Sequence, residues 1–121
     1  MRLWATILIL SALIGCREEV TVLSPEGIAA LVTEDREIEF ERFQYTGTAS
    51  LGTDKTFTVI VPRLGEDTGV WWLEEDKICS RWKTFRQGRL LCAKIGQLPD
   101  GTYRALSTSF DSTLVNFRFV D

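Results

Sequence analysis

The stretch that most constrains the fold is residues 69–92, which read GVWWLEEDKICSRWKTFRQGRLLC. It contains three of the four tryptophans and two of the three cysteines of the chain. Its short apolar runs, separated by polar turns, predict three consecutive antiparallel strands. If Cys79 lies opposite Cys92 in the second hairpin, Ser80 faces Leu91 and the turn falls within residues 84–87. Gly88 is then available for a positive φ.

The alternation of side chains divides this second hairpin into two faces. One face is apolar and carries Ile78, Ser80, Trp82, Leu91, Ala93 and Ile95. The other is mostly basic and carries Cys79, Arg81, Lys83, Leu90, Cys92 and Lys94. Only the apolar face suits a core. We therefore expect the disulfide on the outer, basic face, where it would close a loop of about 14 residues and contribute roughly 3 kcal/mol.

The first hairpin turns within residues 74–77, and the length of its loop decides which tryptophan is inside. An even-numbered loop places Trp72 opposite Cys79 and sends Trp71 to the core. An odd-numbered loop would exchange the two tryptophans, because a slip of one residue moves every side chain of a strand to the other face.

The N-terminus has the features of an export signal. Arg2 is followed by an apolar run over residues 3–14. This is the length of a signal-peptide core and is short for a membrane span. The run ends in Leu-Ile-Gly-Cys, which resembles the lipobox of bacterial lipoproteins. That resemblance implies cleavage before Cys16 and acylation of its sulfur, and several acyl chains on one residue give stable anchoring.

The predicted lipidation simplifies the use of the cysteines. With Cys16 acylated, Cys79 and Cys92 are left as an even pair in an oxidising compartment, where a disulfide is the expected state. The chain then divides into a signal peptide (1–15), a lipidated tether (16–23) and one β-rich domain (24–121). We expect a location in the bacterial cell envelope, facing the periplasm. Arg17 favours the outer membrane over the inner one, since lipoproteins of the inner membrane commonly have aspartate at that position.

The rest of the domain reads as a meander. Ser24 followed by proline predicts the start of a short helix over residues 25–33. Alternation predicts strands at 56–61 and 114–120, with Phe117 and Phe119 inward. A strand begins near residue 37, after which a bulge or a turn changes its phase. Residues 46–55, rich in Gly, Thr and Ser, are expected to form a loop, and the next strand is expected to open at Gly69.

These elements define the expected fold class. Turn signals recur along the chain and predict six or seven antiparallel strands with one short N-terminal helix. The protein is expected to be mainly β, as an antiparallel meander that forms either a strongly curved sheet or a small up-and-down barrel.

The composition argues against several function classes. The net charge is −3, which disfavours general nucleic-acid binding. The absence of histidine removes the commonest general base and a common metal ligand. The adjacent acids Glu74, Glu75 and Asp76 belong to a turn, where neighbouring carboxylates point apart instead of converging as glycoside hydrolysis requires. The sequence therefore predicts no cofactor, no metal and no catalytic residue.

A short motif within the domain resembles a known family. The order Gly-Val-Trp (69–71), Lys-Ile-Cys (77–79), Trp82 and Leu-Cys-Ala (91–93) is similar to a group of small exported proteobacterial proteins. That group is known only as a domain of unknown function. The resemblance spans about residues 25–106 and implies a small periplasmic β-domain with a disulfide. It implies no catalytic residues.

Three functions follow as hypotheses, and the last of them, an enzyme, would need convergent acids or a lysine-activated serine. The first is a non-catalytic envelope lipoprotein, anchored in the membrane by Cys16, that binds another envelope protein through its basic face. Its candidate contact surface is Trp72, Arg81, Lys83 and Lys94. The alternative is a barrel that holds a small apolar or amphipathic ligand. That function would require an internal cavity lined by Phe57, Trp71, Phe117 and Phe119.

Overall fold

The structure is a computed structural model that describes residues 19–108 and 113–121. These described residues form one α-helix and nine strands. In chain order they are β1 (Thr21–Val22), α1 (Pro25–Leu31), β2 (Arg36–Arg42), β3 (Tyr45–Leu51), β4 (Thr56–Val61), β5 (Gly65–Glu74), β6 (Lys77–Trp82), β7 (Leu90–Gln97), β8 (Tyr103–Ser107) and β9 (Thr113–Phe119). A single 3₁₀ turn, Phe85–Gly88, lies between β6 and β7. The described residues include no helix long and apolar enough to cross a membrane.

Strands β2 to β9 form a closed antiparallel barrel. Each strand pairs with the next one in the chain, and β9 pairs with β2 to close the cylinder. The prediction of a mainly β antiparallel meander is confirmed, and of its two forms the structure shows the barrel. Closure also removes the exposed sheet edges that an open sheet would leave. The barrel has eight strands, more than the six or seven expected, because one strand was not recognised in the sequence.

The unrecognised strand is β3. Residues 46–55 were predicted to form a loop, and this is wrong for β3, which pairs with β2 over its whole length. Its two central inward positions hold Gly47 and Ala49, which lack the bulk that usually marks a strand. Glycine is required at position 47, since a Cβ there would lie 2.6 Å from Cζ of Phe40. The Phe40 ring of β2 fills the space beside Gly47 of β3, where a side chain would otherwise lie.

Two boundaries also differ from the prediction. Between β2 and β3 the chain turns at Phe43, whose φ is 54°, so the change of phase comes from a turn and not from a bulge. Strand β5 opens at Gly65, four positions before Gly69, because β4 pairs with it as far as Gly65. Gly65 has a φ of 113°, which suits the tight connection from β4.

The helix α1 begins as predicted and closes one end of the barrel. The Ser24 hydroxyl accepts a hydrogen bond from the backbone N–H of Gly27 at 3.1 Å, an N-cap that satisfies one free donor of the first turn. Ile28 is only 2% exposed. Beyond the helix, Nη1 of Arg36 donates to the carbonyl of Leu31 at 2.8 Å. These contacts fix the helix across the barrel, and we call this end the helix end.

The chain joins the barrel at the helix end. Thr21 and Val22, which belong to the predicted tether, pair with Gln97 and Gly96 at the end of β7. Leu23 then donates its backbone N–H to the carbonyl of Ile95 at 2.8 Å. The predicted signal peptide and the predicted lipidation site, Cys16, lie outside the described residues.

Candidate functional site: an apolar cavity and an outer face

The disulfide hairpin has the predicted register. Cys79 pairs with Cys92 and Ser80 with Leu91, and the sulfurs of the two cysteines are bonded. In the preceding hairpin Trp72 pairs with Cys79, which is the even-numbered alternative. Trp71 is therefore inside and 2% exposed.

The predicted contact surface lies on the outside of β5, β6 and β7. Arg81 and Lys83 are exposed, whereas Trp72 and Lys94 are partly buried. Within the same outer face Cys79 is completely buried, although it does not line the interior. Trp72 is its partner across the ladder.

A carboxylate also approaches the disulfide. Oε2 of Glu74 lies 3.2 Å from Sγ of Cys79, and these two residues and Cys92 form a group of potential ligand atoms. Both sulfurs are committed to the disulfide, so neither is the thiolate that a metal ion would require. The group is therefore a structural contact.

The interior of the barrel contains an apolar cavity of about 450 Å³. Its wall includes all four aromatic residues that the sequence had indicated for a ligand-binding barrel, Phe57, Trp71, Phe117 and Phe119. The inward positions of β6 and β7 that were predicted to be apolar also line it. Some eight-stranded barrels are filled completely by their own side chains. This barrel is not, because the cavity remains at its centre.

The helix end of the cavity is closed by fixed side chains. The indole Nε1 of Trp71 donates to the carbonyls of Gly52 at 3.0 Å and Thr56 at 3.2 Å. The guanidinium of Arg36 lies 3.7 Å from the centre of the Phe119 ring and its Nε donates to Asp121 at 2.9 Å. This hydrogen bond holds the pKa of the Asp121 carboxyl below its usual value.

The opposite end, which we call the mouth, has more exposed walls. Side chains of Arg42, Tyr45, Leu64, Phe85 and Arg86 line the cavity there. Tyr45 is 41% exposed and Leu64 57% exposed, so the cavity opens to solvent between these connections. Chain reversal explains why they meet, because the turns after β2, β4 and β6 all fall at the same end of an up-and-down barrel.

The longest described turn at the mouth is held by a buried carboxylate. Asp67 is 7% exposed and accepts hydrogen bonds from the backbone N–H groups of Phe85 at 2.8 Å and Thr84 at 3.0 Å. Burial raises the pKa of the Asp67 carboxyl, but these hydrogen bonds outweigh burial and hold that pKa below its usual value. Arg86 follows with a φ of 57°, a strained conformation for a non-glycine residue that the surrounding contacts must hold.

One polar atom in the cavity wall lacks a partner. Among the described residues, Nε1 of Trp82 is buried and makes no hydrogen bond. The Trp82 ring packs edge-on against Phe57, with the ring centres 4.2 Å apart. A buried donor without an acceptor is unfavourable by about 1–3 kcal/mol. A ligand that carries an acceptor could remove that cost.

A second, wider groove of about 590 Å³ lies on the outside of the barrel. Charged residues of both signs line it, and Nη2 of Arg118 pairs with Glu39 at 2.8 Å. Asn116 accepts a hydrogen bond from Arg104 at 2.9 Å. Because both arginines of this groove are engaged in these contacts, whereas the interior is enclosed and apolar, we regard the interior cavity as the stronger candidate site.

Sequence reasoning missed the mouth. Arg86 belongs to a basic patch in the sequence, but Arg42 attracted no attention, since nothing local shows that their two turns meet around one opening. The mouth could have been predicted only from the closure of the barrel, which brings alternate turns together at one end.

Comparison of the chain with family models, with curated proteins and with solved structures finds no match.

Proposed function

We propose that this protein is a non-catalytic lipoprotein of the bacterial cell envelope that binds one small apolar or amphipathic molecule inside its barrel. The observation that carries the proposal is the apolar cavity of about 450 Å³ at the centre of the fold. Ligand pockets of about 300–1,000 Å³ lined mainly by apolar and aromatic side chains are typical of small-molecule sites.

Physical chemistry favours an apolar occupant over water. A cavity water needs two to four polar partners, and an engineered apolar cavity of about 150 Å³ stays dry and takes up benzene. The cavity here is about three times as large, and its closed half is formed by apolar side chains such as Ile28, Leu31 and Phe119. Transfer of an apolar molecule from water into this space is favourable by about 25 cal/mol per Å² of buried surface.

The proposed anchor would orient the barrel. Thr21 lies five positions after Cys16, a reach of at most about 18 Å in extended chain. Because Thr21 joins the barrel at the helix end, a lipid on Cys16 would place that end beside the membrane. The mouth would then point into the periplasm, where ligand exchange would take place.

The binding experiment can use the chain from Arg17 onward. All the strands of the barrel and the helix that closes it lie within residues 21–119, so this chain retains the whole barrel without the acyl groups that would compete for the cavity. Titration with dodecanol, below the concentration at which it aggregates, is expected to change the fluorescence of Trp71 and Trp82. Saturable binding of one molecule per chain is the expected result.

A pair of matched variants tests where the molecule binds. Ala93 is 5% exposed and lines the cavity, so Ala93→Phe should fill part of it and abolish binding. Thr58→Phe adds the same ring to the outside of β4, at an exposed position, and should leave binding unchanged. Absence of saturable binding in the parent chain, or equal binding by both variants, would contradict the proposal.

A second candidate function, docking of an envelope protein on the outer face, is favoured by one observation. Val70 and Leu90 are 46% and 49% exposed and flank Arg81 in the ladder, forming an apolar patch with a charge at its centre. Combined Trp72→Ala and Arg81→Ala substitution should abolish recovery of a cross-linked partner from membranes. The substitution Arg118→Ala on the other side of the barrel is the control, and unchanged recovery with the first variant would reject this function.

A further inference from the structure

The cavity wall contains only two charged side chains among the described residues, and both are arginines at the mouth. Arg42 is the last residue of β2, at an inward position of that strand, and Arg86 lies in the turn after β6. Of residues 19–108 and 113–121, no acidic side chain lines the cavity. The lining of the cavity is therefore apolar over most of its length and cationic at the mouth, where the buried Asp67 carboxylate hydrogen-bonds to the turn of Arg86 but does not line the cavity.

The two mouth arginines differ from other arginines of the barrel in their partners. Arg36 pairs with Asp121 and Arg118 pairs with Glu39. Within the described part of the chain, neither Arg42 nor Arg86 has a carboxylate partner. The guanidinium of Arg42 lies 5.2 Å from the centre of the neighbouring Phe43 ring, a contact that positions the group without neutralising its charge.

The connections at the two ends of the barrel carry opposite charge. Three of the four mouth connections contain four basic residues and no acid, namely Arg63, Lys83, Arg86 and Arg89, and the sequence of the fourth, residues 108–112, has one acid, Asp111. The four connections at the helix end contain one basic residue, Lys55, and six acids, namely Glu34, Asp35, Asp54, Glu75, Asp76 and Asp100. An anion approaching the barrel is thus attracted to the mouth and repelled from the helix end.

We propose that the ligand is an anionic single-chain amphiphile whose head group binds Arg42 and Arg86 and whose apolar chain extends towards α1. This inference rests on the proposed function and adds the class and orientation of the ligand. A cavity of about 150 Å³ takes up one benzene molecule, so the cavity of about 450 Å³ here has room for about three times as many carbon atoms. This volume suits a single alkyl chain better than the two chains of a phospholipid. Carboxylate and phosphate heads share the geometry that arginine recognises through paired N–H donors.

The experiment compares four probes with the same twelve-carbon chain and different heads. Dodecanoate, dodecyl phosphate, dodecanol and dodecyltrimethylammonium are titrated below their aggregation concentrations into the chain from Arg17 onward. We expect both anions to bind at least tenfold more tightly than dodecanol, and the cation to bind most weakly. The two anions distinguish a carboxylate from a phosphate as the preferred head.

Variants then separate direct contact from general attraction. Arg42→Gln and Arg86→Gln should each weaken binding of the anions about tenfold while leaving dodecanol binding within twofold. Arg63→Gln is the matched control, because it removes the same charge from the same end of the barrel but does not line the cavity. It should change the affinity for the anions by less than threefold.

The outcomes distinguish the two proposals. If none of the four probes binds, the proposed function itself fails. If dodecanol binds as tightly as the anions, or if Arg63→Gln weakens the anions as much as Arg42→Gln does, the cavity is a ligand site but the inferred head-group contact is wrong.

Discussion

The two ends of the barrel are built from the same strands and differ in what closes them. At the helix end, α1 covers the opening, and Ile28 and Trp71 are each 2% exposed. At the mouth, Phe43 is 88% exposed and Leu64 57% exposed. Burial of apolar surface supplies most of the stability of a fold. The residues of the helix end should therefore stabilise the folded protein, and those of the mouth should control the entry of ligand. The comparison can be tested by substitutions at each end.

The largest effect is expected at Trp71. Replacing it with alanine removes a buried indole and its hydrogen bonds to the carbonyls of Gly52 and Thr56, so Trp71→Ala should lower the free energy of unfolding by about 3–5 kcal/mol. Urea denaturation measures this change. The neighbouring Trp72→Ala is the control on the outer face and should cost about 1–2 kcal/mol. Equal losses would mean that the inward tryptophan does not stabilise the helix end.

The disulfide should have the next largest effect. Cys79 and Cys92 are 13 residues apart. In the chain-entropy account, the cross-link lowers the conformational entropy of the unfolded chain and thereby stabilises the folded protein by about 3 kcal/mol. Substitution of both cysteines by alanine should lower the free energy of unfolding by this amount, which is measured as a lower urea midpoint. Adding a reductant should shift the parent protein in the same direction and leave the double variant unchanged. A reductant effect on the variant would show that another process is being measured.

The disulfide region also shows how much could be predicted from the sequence. The two cysteines, with strict alternation around them, were enough to give the register and both faces of β6 and β7. The loop between β5 and β6 remained open until the structure showed Trp72 opposite Cys79. Alternation is strong where inward residues are large and outward ones are charged, because the two faces then differ clearly.

The same signal fails where inward residues are small. Strand β3 has Gly47 and Ala49 inside, so its composition resembles that of a loop. What makes it a strand is the Phe40 ring across the ladder, a contact that no local pattern reveals. The mouth could not be predicted for a related reason, since Arg42 and Arg86 come together only when the barrel closes.

A smaller effect is expected from Asp67, which holds the turn at the mouth. Its pKa is lower in the folded protein than in the unfolded chain, so its contribution to stability is present above the unfolded value of about 3.9 and is lost as the pH falls through the folded value. Asp67→Asn should be less stable than the parent at neutral pH, with the difference shrinking below pH ~4. Urea midpoints measured across this range test the prediction, and a difference independent of pH would contradict it.

The smallest effect on stability is expected at Phe43, where the consequence should appear in binding instead. Its side chain is 88% exposed, so Phe43→Ser should change the free energy of unfolding by no more than about 0.5 kcal/mol. The ring lies beside the Arg42 guanidinium, and loss of such an exposed contact is worth about 0.5–1 kcal/mol. Affinity for dodecanoate should therefore fall about two- to fivefold while dodecanol binding stays constant. A marked loss of stability, or equal losses for both probes, would show that the mouth supports the fold in the way that the helix end does.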